Sequence, residues 1–445
     1  MKKAGKLTAL LLVAALAAGS LAGCGAADPV KEEYPEYPDD KEMWIGGWDV
    51  PINTLEDYQM AKDMGLTHMF IDGVFAARGT DAYFEQLKHC EEVGLKAILG
   101  MDTSLDNSQN VPVDTYDYSG YPAVDMINLW DEPPIQQFPD VVERINAMKE
   151  VYAGKDMTLY VNMDPFNCAA QPSTLTTTED YLNKFCDQVL SKIPGRKILS
   201  TDIYPLLYTR GQYVISSMWL EHMSHYAQYA RREGADFHMF IQSYSDVDRR
   251  EITSREELTF QIYTDMAFGI KGFSYFTYRK SFLGGFGGGC VENDVSCTPT
   301  PVYYWAQEIN REIQNFDHVY LAFDWEGVLP VEGSNQLAQD PTYRNNLFAG
   351  IANPLTELDC GTVSGTEDTL IGQFKDAEGR DGLIVTNFTD PIYQLKDTIS
   401  FSFQDANRAM VYRRGERKIY EVKDNQLEIT LSPGEGIFVI PLKIN

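Results

Sequence analysis

Eight short apolar runs rich in β-branched and aromatic residues, at 43–50, 68–74, 96–101, 126–130, 158–162, 197–202, 238–242 and 272–277, alternate with amphipathic stretches of helical length. The helical stretches include 55–64, 81–93, 138–152, 178–192, 214–233, 255–268 and 301–316. Runs of strand length followed by apolar positions at helical spacing are the pattern of βα units. Several of the helical stretches stop at a glycine that leads into the next run, as at Gly65, Gly94 and Gly234. Consecutive units of this kind predict a closed (β/α)8 TIM barrel over residues 43–320. A doubly wound open sheet would carry a glycine-rich phosphate turn after its first strand, whereas Gly46 and Gly47 lie inside that strand.

From about residue 321 the period changes from helical to two. Alternating runs at 370–374, 381–387, 398–403, 409–413, 418–422, 426–431 and 436–441 are separated by turn signals such as 376–379 and 432–435. This predicts a small C-terminal antiparallel β-sandwich over residues 321–445. Its final run is similar to the last strands of β-domains that follow many glycosidase barrels, which implies a packing role.

The N-terminus resembles a bacterial lipoprotein signal. Lys2, Lys3 and Lys6 precede an apolar run at 7–18 and the sequence Leu21-Ala22-Gly23-Cys24. The resemblance implies removal of residues 1–23, a lipid on Cys24 and anchoring to the extracytoplasmic face of the cell membrane. The run is too short to span about 30 Å of hydrocarbon as an uncleaved helix. Residues 24–42 are acidic and carry Pro29, Pro35 and Pro38, which reads as a solvated linker. Loss of residues 1–23 removes three lysines and no acid, taking the formal charge from −28 to −31. Nucleic acid is excluded as a natural partner on that balance. The remaining cysteines, Cys90, Cys168, Cys186, Cys290, Cys297 and Cys360, show no CxxC or Cys/His spacing, so no metal or other cofactor is expected. Cys290 and Cys297 are spaced for a small loop disulfide.

In a barrel of this kind the chemistry sits at the carboxyl ends of the strands. There the fourth run, Met126-Ile127-Asn128-Leu129-Trp130, stops at Asp131-Glu132-Pro133-Pro134. The prolines cannot continue a ladder, so Glu132 is left at the strand end. Carboxylates recur at the other ends: Asp49, Asp72, Asp102, Asp164, Asp202 and Asp246. Aromatics lie between them, including Trp48, Phe75, Trp130, Phe166, Tyr204, Tyr208, Tyr244 and Tyr278. Carboxylates bind sugar hydroxyls and aromatic rings stack on the apolar faces of pyranoses, so a carbohydrate partner is expected. Aspartate at a strand end also caps helices, a role that suits Asp49 and Asp102 most readily. After the eighth run, Gly284, Gly285, Gly287, Gly288 and Gly289 allow a mobile flap or a close backbone approach, with Phe282 and Phe286 able to close over a sugar.

At these residues the chain resembles clan A glycoside hydrolases, especially β-galactosidase-like members. The segment Asn128-Leu129-Trp130-Asp131-Glu132-Pro133 is similar to the clan's fourth-strand motif, whose Asn-Glu-Pro triplet carries the acid/base. Asp202-Ile203-Tyr204-Pro205 is similar to a turn after strand six. Lys271-Gly272-Phe273-Ser274-Tyr275-Phe276 resembles the last strand, and the helix after it is similar over 301–313. The pattern departs in two places. Asp131 stands where the clan has Asn, and Gln242 stands where strand seven presents the nucleophilic Glu; a neutral amide cannot form a glycosyl ester.

The resemblance implies a glycoside hydrolase with Glu132 as general acid. Asp202 is the favoured second carboxylate, ahead of Asp164, Asp246 and Asp72, and a water-mediated inverting mechanism across the barrel mouth is one option. An N-acetyl group acting as internal nucleophile is another. Trp48, Asp72, Trp130, Asp131, Asp164, Tyr204, Gln242, Tyr244 and Tyr278 are the expected substrate-binding residues, with Trp130 and Pro133 as apolar surroundings for Glu132. The alternative is a catalytically silent glycan-binding lipoprotein, which Gln242 favours.

Overall fold

Eight parallel strands close on one another in sequence order: β1 (Trp44–Gly47), β2 (His68–Ile71), β3 (Lys96–Gly100), β4 (Val124–Asp131), β5 (Thr158–Met163), β6 (Ile198–Asp202), β7 (Asp236–Gln242) and β8 (Ile270–Phe276). The ring closes through β1 and β8, with Trp44 opposite Gly272. The computed structural model describes residues 33–49, 51, 54–71, 76, 78–100, 116–164, 177–281, 285–294, 296–335 and 347–444. The signal residues 1–23 with Cys24, and Asp72, Phe75, Asp102, Phe166 and Phe282, lie outside the described residues.

The helices around the barrel are α1 (Leu55–Asp63), α2 (Asp81–Val93), α3 (Phe138–Val151), α4 (Thr178–Gln188), α5 (Trp219–Glu233), α6 (Arg255–Ala267) and α7 (Pro301–Gln314). Thr54, Thr80, Thr177 and Ser254 accept from the first turns of α1, α2, α4 and α6, so the capping expected of Asp49 falls to Thr54. Gly94 and Gly234 end α2 and α5 in the left-handed conformation.

Two stretches differ from the pattern read in the sequence. Among the described residues no α-helix joins β3 to β4; a 3-10 turn at Tyr118–Gly120 stands there instead. The helix expected over 214–233 begins only at Trp219, because Gln212–Ile215 pairs with Leu206–Thr209 as a hairpin. Arg210 and Gly211 form its two-residue turn with φ of 53° and 78°, the positive pair that matches strand twist. This hairpin rises from the carboxyl end of β6 and becomes one wall of the site.

Inside the barrel, Trp44, Phe70, Ile98, Met126, Tyr160 and Ile198 form one buried layer. The His238 ring stacks on Trp44 with centroids 3.7 Å apart. Such layers make the barrel interior a packed core and leave the strand ends free to hold a site.

The C-terminal strands are β9 (Phe323–Val331), β10 (Gly361–Gly365), β11 (Thr369–Asp376), β12 (Asp381–Asn387), β13 (Asp397–Phe403), β14 (Arg408–Arg413), β15 (Glu416–Glu421), β16 (Gln426–Leu431) and β17 (Gly436–Leu442). They form a six-stranded sheet, β9-β11-β12-β17-β14-β15, and a three-stranded sheet, β10-β13-β16. Leu329, Ile371, Val385, Ile399, Phe401 and Val439 are among the side chains buried between them, which makes the pair a sandwich. The sequence pattern did not reveal β9 and β10. Both are edge strands: β9 tolerates Pro330 for that reason, and β10 is built from Gly, Thr, Val and Ser with little apolar alternation.

The outer face of the larger sheet lies on α6, which explains why that helix is buried from Glu257 to Ala267 with no solvent-exposed stripe. The approach is close enough that a Cβ on Gly436 would sit 2.2 Å from the Tyr263 ring. Of the expected solvated linker, the part described just before β1 is docked at Tyr37 and Lys41. The Tyr37 ring meets Phe323 at 5.4 Å and its hydroxyl donates to Asp376 at 3.0 Å. Lys41 Nζ donates to the Leu321 carbonyl, and Met43 N donates to Asp317.

Between barrel and sandwich, Arg250 is 2% exposed and holds Asp390 through two bonds of 2.7 and 2.8 Å, with Glu257 2.9 Å away. Removing one partner of a buried ion pair leaves a charge without compensation. Arg250→Ala, which leaves Asp390 and Glu257 without their shared cation, is therefore expected to destabilise the chain by about 3 kcal/mol in urea unfolding; a loss below ~0.5 kcal/mol would mean the pair contributes like a surface one.

Candidate active site

The end of β4 is irregular, and the irregularity aims the site. Asn128 pairs with Tyr160, but the next pair is Asp131 with Asn162, so Leu129 and Trp130 together oppose Val161. This is a β-bulge, a device that turns side chains at strand ends. Asn128 Oδ1 takes up the freed amides of Trp130 and Asn162 at 3.3 and 3.4 Å. The bulge turns Trp130 outward, where the Arg144 guanidinium lies 4.2 Å from its ring and donates to the Leu129 carbonyl. Beyond it, Glu132 has φ of +49°, a left-handed conformation costing a non-glycine residue about 1 kcal/mol, and its amide donates to the Asn162 carbonyl at 2.8 Å.

Asp131, Glu132 and Asp202 meet at the floor of a cavity of about 600 Å³. Asn162 Nδ2 donates to Asp131 at 3.0 Å and to Asp202 at 3.3 Å. The Tyr204 hydroxyl also bonds Asp202, and the carboxyls of Glu132 and Asp202 are themselves hydrogen-bonded. Burial drives the Glu132 carboxyl far above the usual carboxylate range, and the charges of Asp202, Asp131 and Asp164 add to it. Burial and Asp131 also raise Asp202, but its bonds from Asn162, Glu132 and Tyr204 draw it back. Burial raises Asp131 against the pull of Asn162. The proton accordingly rests on Glu132, which donates it to Asp202, since two adjacent carboxylates without a cation cannot both ionise cheaply.

The walls are aromatic: Trp48, Tyr204, Phe240, Tyr244, Phe276 and Phe286. Trp48 stacks on Phe70 at 3.8 Å, while Tyr244 meets Tyr204, Phe276 and Phe286 at 4.9, 5.0 and 5.6 Å. Phe286 is held in place because Gly287–Gly288 pairs antiparallel with Tyr244–Ser245, so this part of the glycine-rich loop makes its close approach to backbone. Leu207 and Thr209 of the hairpin also line the cavity, and Arg249 sits at its edge, paired with Asp246 at 2.8 Å. Among the described residues no group of three or more His, Cys, Asp or Glu is placed to hold a metal ion.

Of the residues expected to bind or act on substrate, Trp48, Asp131, Glu132, Asp202, Tyr204 and Tyr244 are brought together here. Asp72 lies outside the described residues. Four others do not line the cavity. Trp130 is turned away by the bulge and so is no wall for Glu132. Tyr278 is buried behind the strand end beside Gly47, and Asp164 stands one layer back with its backbone bonded by Tyr181 and Tyr226. Gln242 is fully buried: its Oε1 accepts from Leu206 N, and its Nε2 donates to the carbonyls of Leu206 and Arg250. It clamps the hairpin to the chain after β7. Cys290 and Cys297 are both buried and are not joined to each other as a disulfide.

Asn162, Phe240, Phe276 and Arg249 went unrecognised in the sequence. Parity would have found three of them. Asn162 shares the inward side of Tyr160, Phe240 that of His238, and Phe276 that of Ser274.

No family model matches the chain, and no curated protein matches it by sequence. Solved structures match it in fold. One is a protein from Bacteroides fragilis proposed to be an α-galactosidase, with TM-score 0.50 and 12% identity over 91% of this chain and 80% of that one. Another is a GH27 β-L-arabinopyranosidase from Geobacillus stearothermophilus in complex with arabinose, with TM-score 0.48 and 11% identity over 91% and 97%. A β-galactosidase from Marinomonas ef1 aligns at TM-score 0.47 and 12% identity over 64% of this chain, which spans 62% of that protein's length. The first of these likenesses extends through barrel and sandwich and establishes shared architecture.

The shared proton makes stability depend on pH. Glu132 and Asp202 bind protons more tightly folded than unfolded, so their contribution is fully present below about pH 4, the unfolded carboxyl value, and is lost as pH rises. Glu132→Gln stays neutral and is expected to match the parent at pH 3 yet exceed it at pH 8 by on the order of 2 kcal/mol in urea unfolding. Equal stability at both pH values would contradict the shared proton.

Proposed function

We propose that the chain is a glycoside hydrolase acting on an oligosaccharide or glycan, with Glu132 as general acid. The observation that carries this reading is the meeting of three buried carboxyls, Asp131, Glu132 and Asp202, at the floor of an aromatic-walled cavity, where burial and its neighbours raise Glu132 far above the usual carboxylate range. A glycosidic oxygen entering the cavity replaces Asp202 as acceptor of the Glu132 proton. The C–O bond breaks and the leaving group departs protonated while the negative charges of Asp202 and Asp131 stabilise the oxocarbenium-like carbon; water then adds to that carbon and its proton returns to the Glu132 carboxylate. The aromatic walls stack on the sugar ring and exclude water.

A panel of aryl glycosides and oligosaccharides tests this. Glu132→Gln is expected to lower kcat on the accepted substrate by about 10²-fold or more, and Asp202→Asn by a similar factor. Gln242→Glu is expected to add no activity, because position 242 is spent on the hairpin clamp. The clamp also favours a second reading, a catalytically silent glycan-binding protein: turnover on no substrate together with calorimetric binding of one sugar would select it.

We further propose that Cys24 is lipidated and holds the protein on the extracytoplasmic face of the cell membrane. The support is the basic, apolar and small-residue pattern before that cysteine. Among the described residues no helix is long and apolar enough to cross a membrane. Cys24→Ser is expected to move the protein from the membrane to the soluble fraction; retention in the membrane would refute the anchor.

A further inference from the structure

Asn162 has two amide hydrogens, and both are spent on acids, Asp131 at 3.0 Å and Asp202 at 3.3 Å. Its carbonyl faces the other way and accepts from Ser200 Oγ at 2.8 Å. Having given its one proton to Asn162, Ser200 can only accept from its other partner, Nδ1 of His238 at 3.0 Å. Donor counting therefore assigns His238 the Nδ1–H tautomer, with Nε2 accepting from Ser274 Oγ at 3.0 Å. Asn162, Ser200, His238 and Ser274 are all at least 96% buried, so no bulk water competes for these bonds. The line crosses the barrel from β8 through β7 and β6 to β5 and ends on the acids of β4 and β6.

We propose that this line of hydrogen bonds, with Asn162 as its positioning residue, decides which carboxyl of the site carries the proton. Each donor in the line has one acceptor it can serve, so the amide of Asn162 cannot turn over without breaking the Ser200 bond and setting its carbonyl against two carboxylates. Donation to Asp131 and Asp202 favours their ionised forms. Glu132 receives nothing from Asn162 and is left to hold the proton.

The groups facing these acids are Tyr160 and Asp164 on or beside β5, Tyr204 after β6, Tyr244 after β7, Tyr181 of α4 and Tyr226 of α5. None of these carries a positive charge; Arg249, which lines the same cavity, is paired with Asp246 at 2.8 Å. His238 is kept neutral chiefly by burial, with His68 and Arg196 as the charges around it, and so serves as a fixed donor across the neutral pH range. Ser274 reaches His238 because Gly46 has no side chain; a Cβ there would lie 2.2 Å from its hydroxyl.

For its catalytic meaning this inference rests on the reading of Glu132 as general acid, but the proton's position is measurable without turnover. The test is carboxyl 13C NMR titration of the full chain, with Asp131 and Asp202 assigned through Asp131→Asn and Asp202→Asn. Ser200→Ala is expected to raise the ionisation midpoint of Asp202 by about one pH unit, and Ser200→Thr, which keeps the hydroxyl, to restore it. If Ser200→Ala does not fold, Ser274→Ala at the far end is expected to give a smaller rise of the same sign. An unchanged Asp202 midpoint in the folded variant overturns the inference. A shifted midpoint in a protein that hydrolyses no glycoside supports the line of bonds and removes only the hydrolase reading.

Discussion

Two carboxyl groups in hydrogen-bond contact, buried and without a cation between them, hold one proton and one negative charge. That constraint governs the site. It fixes Glu132 as the protonated partner and Asp202 as the ionised one, and it requires an aromatic wall to keep water from dissolving the difference. The bulge in β4 exists in the same frame. By skipping one residue it turns Trp130 out against Arg144, sends Asp131 inward, and leaves Glu132 in a left-handed conformation that a regular strand would not impose.

The rest of the molecule supports the walls around that pair. Gln242 clamps the hairpin that forms one side of the cavity, and the clamp ends on the backbone of Arg250. The Arg250 side chain continues to Asp390 of the sandwich and to Glu257 at the start of α6. A residue that begins at a barrel strand end thus reaches the sandwich through hydrogen bonds and one buried ion pair. The clamp accounts for an amide at position 242, where the resemblance leads one to expect Glu.

The barrel was legible in the sequence because each strand, buried on both sides, reads as a short continuous apolar run, while the helices other than α6 bury one face, so the two patterns alternate cleanly. Legibility failed where an element lacks that contrast. The edge strand β9 carries Pro330, β10 is poor in apolar residues, and Val214 and Ile215 look helical when read with the segment that follows although they pair across the hairpin. In the site, residue type at strand ends identified Glu132, Asp202, Asp131, Trp48, Tyr204 and Tyr244. It misplaced Trp130, because a bulge reverses facing without leaving a mark in composition, and Gln242, because an amide that binds backbone looks the same in sequence as one that binds sugar. Asn162 was passed over for Asp164, two residues on, since a charged side chain is the more conspicuous candidate while the hydrogen-bond geometry selects the amide.

Neutron diffraction from deuterium-exchanged crystals at neutral pH locates the proton of the pair directly. The account predicts one deuteron between the two side chains, bonded to Glu132 and directed at Asp202, with both amide deuterons of Asn162 on Asp131 and Asp202. A water molecule separating two ionised carboxylates, or a deuteron bonded to Asp202 with Asn162 turned over, would contradict it.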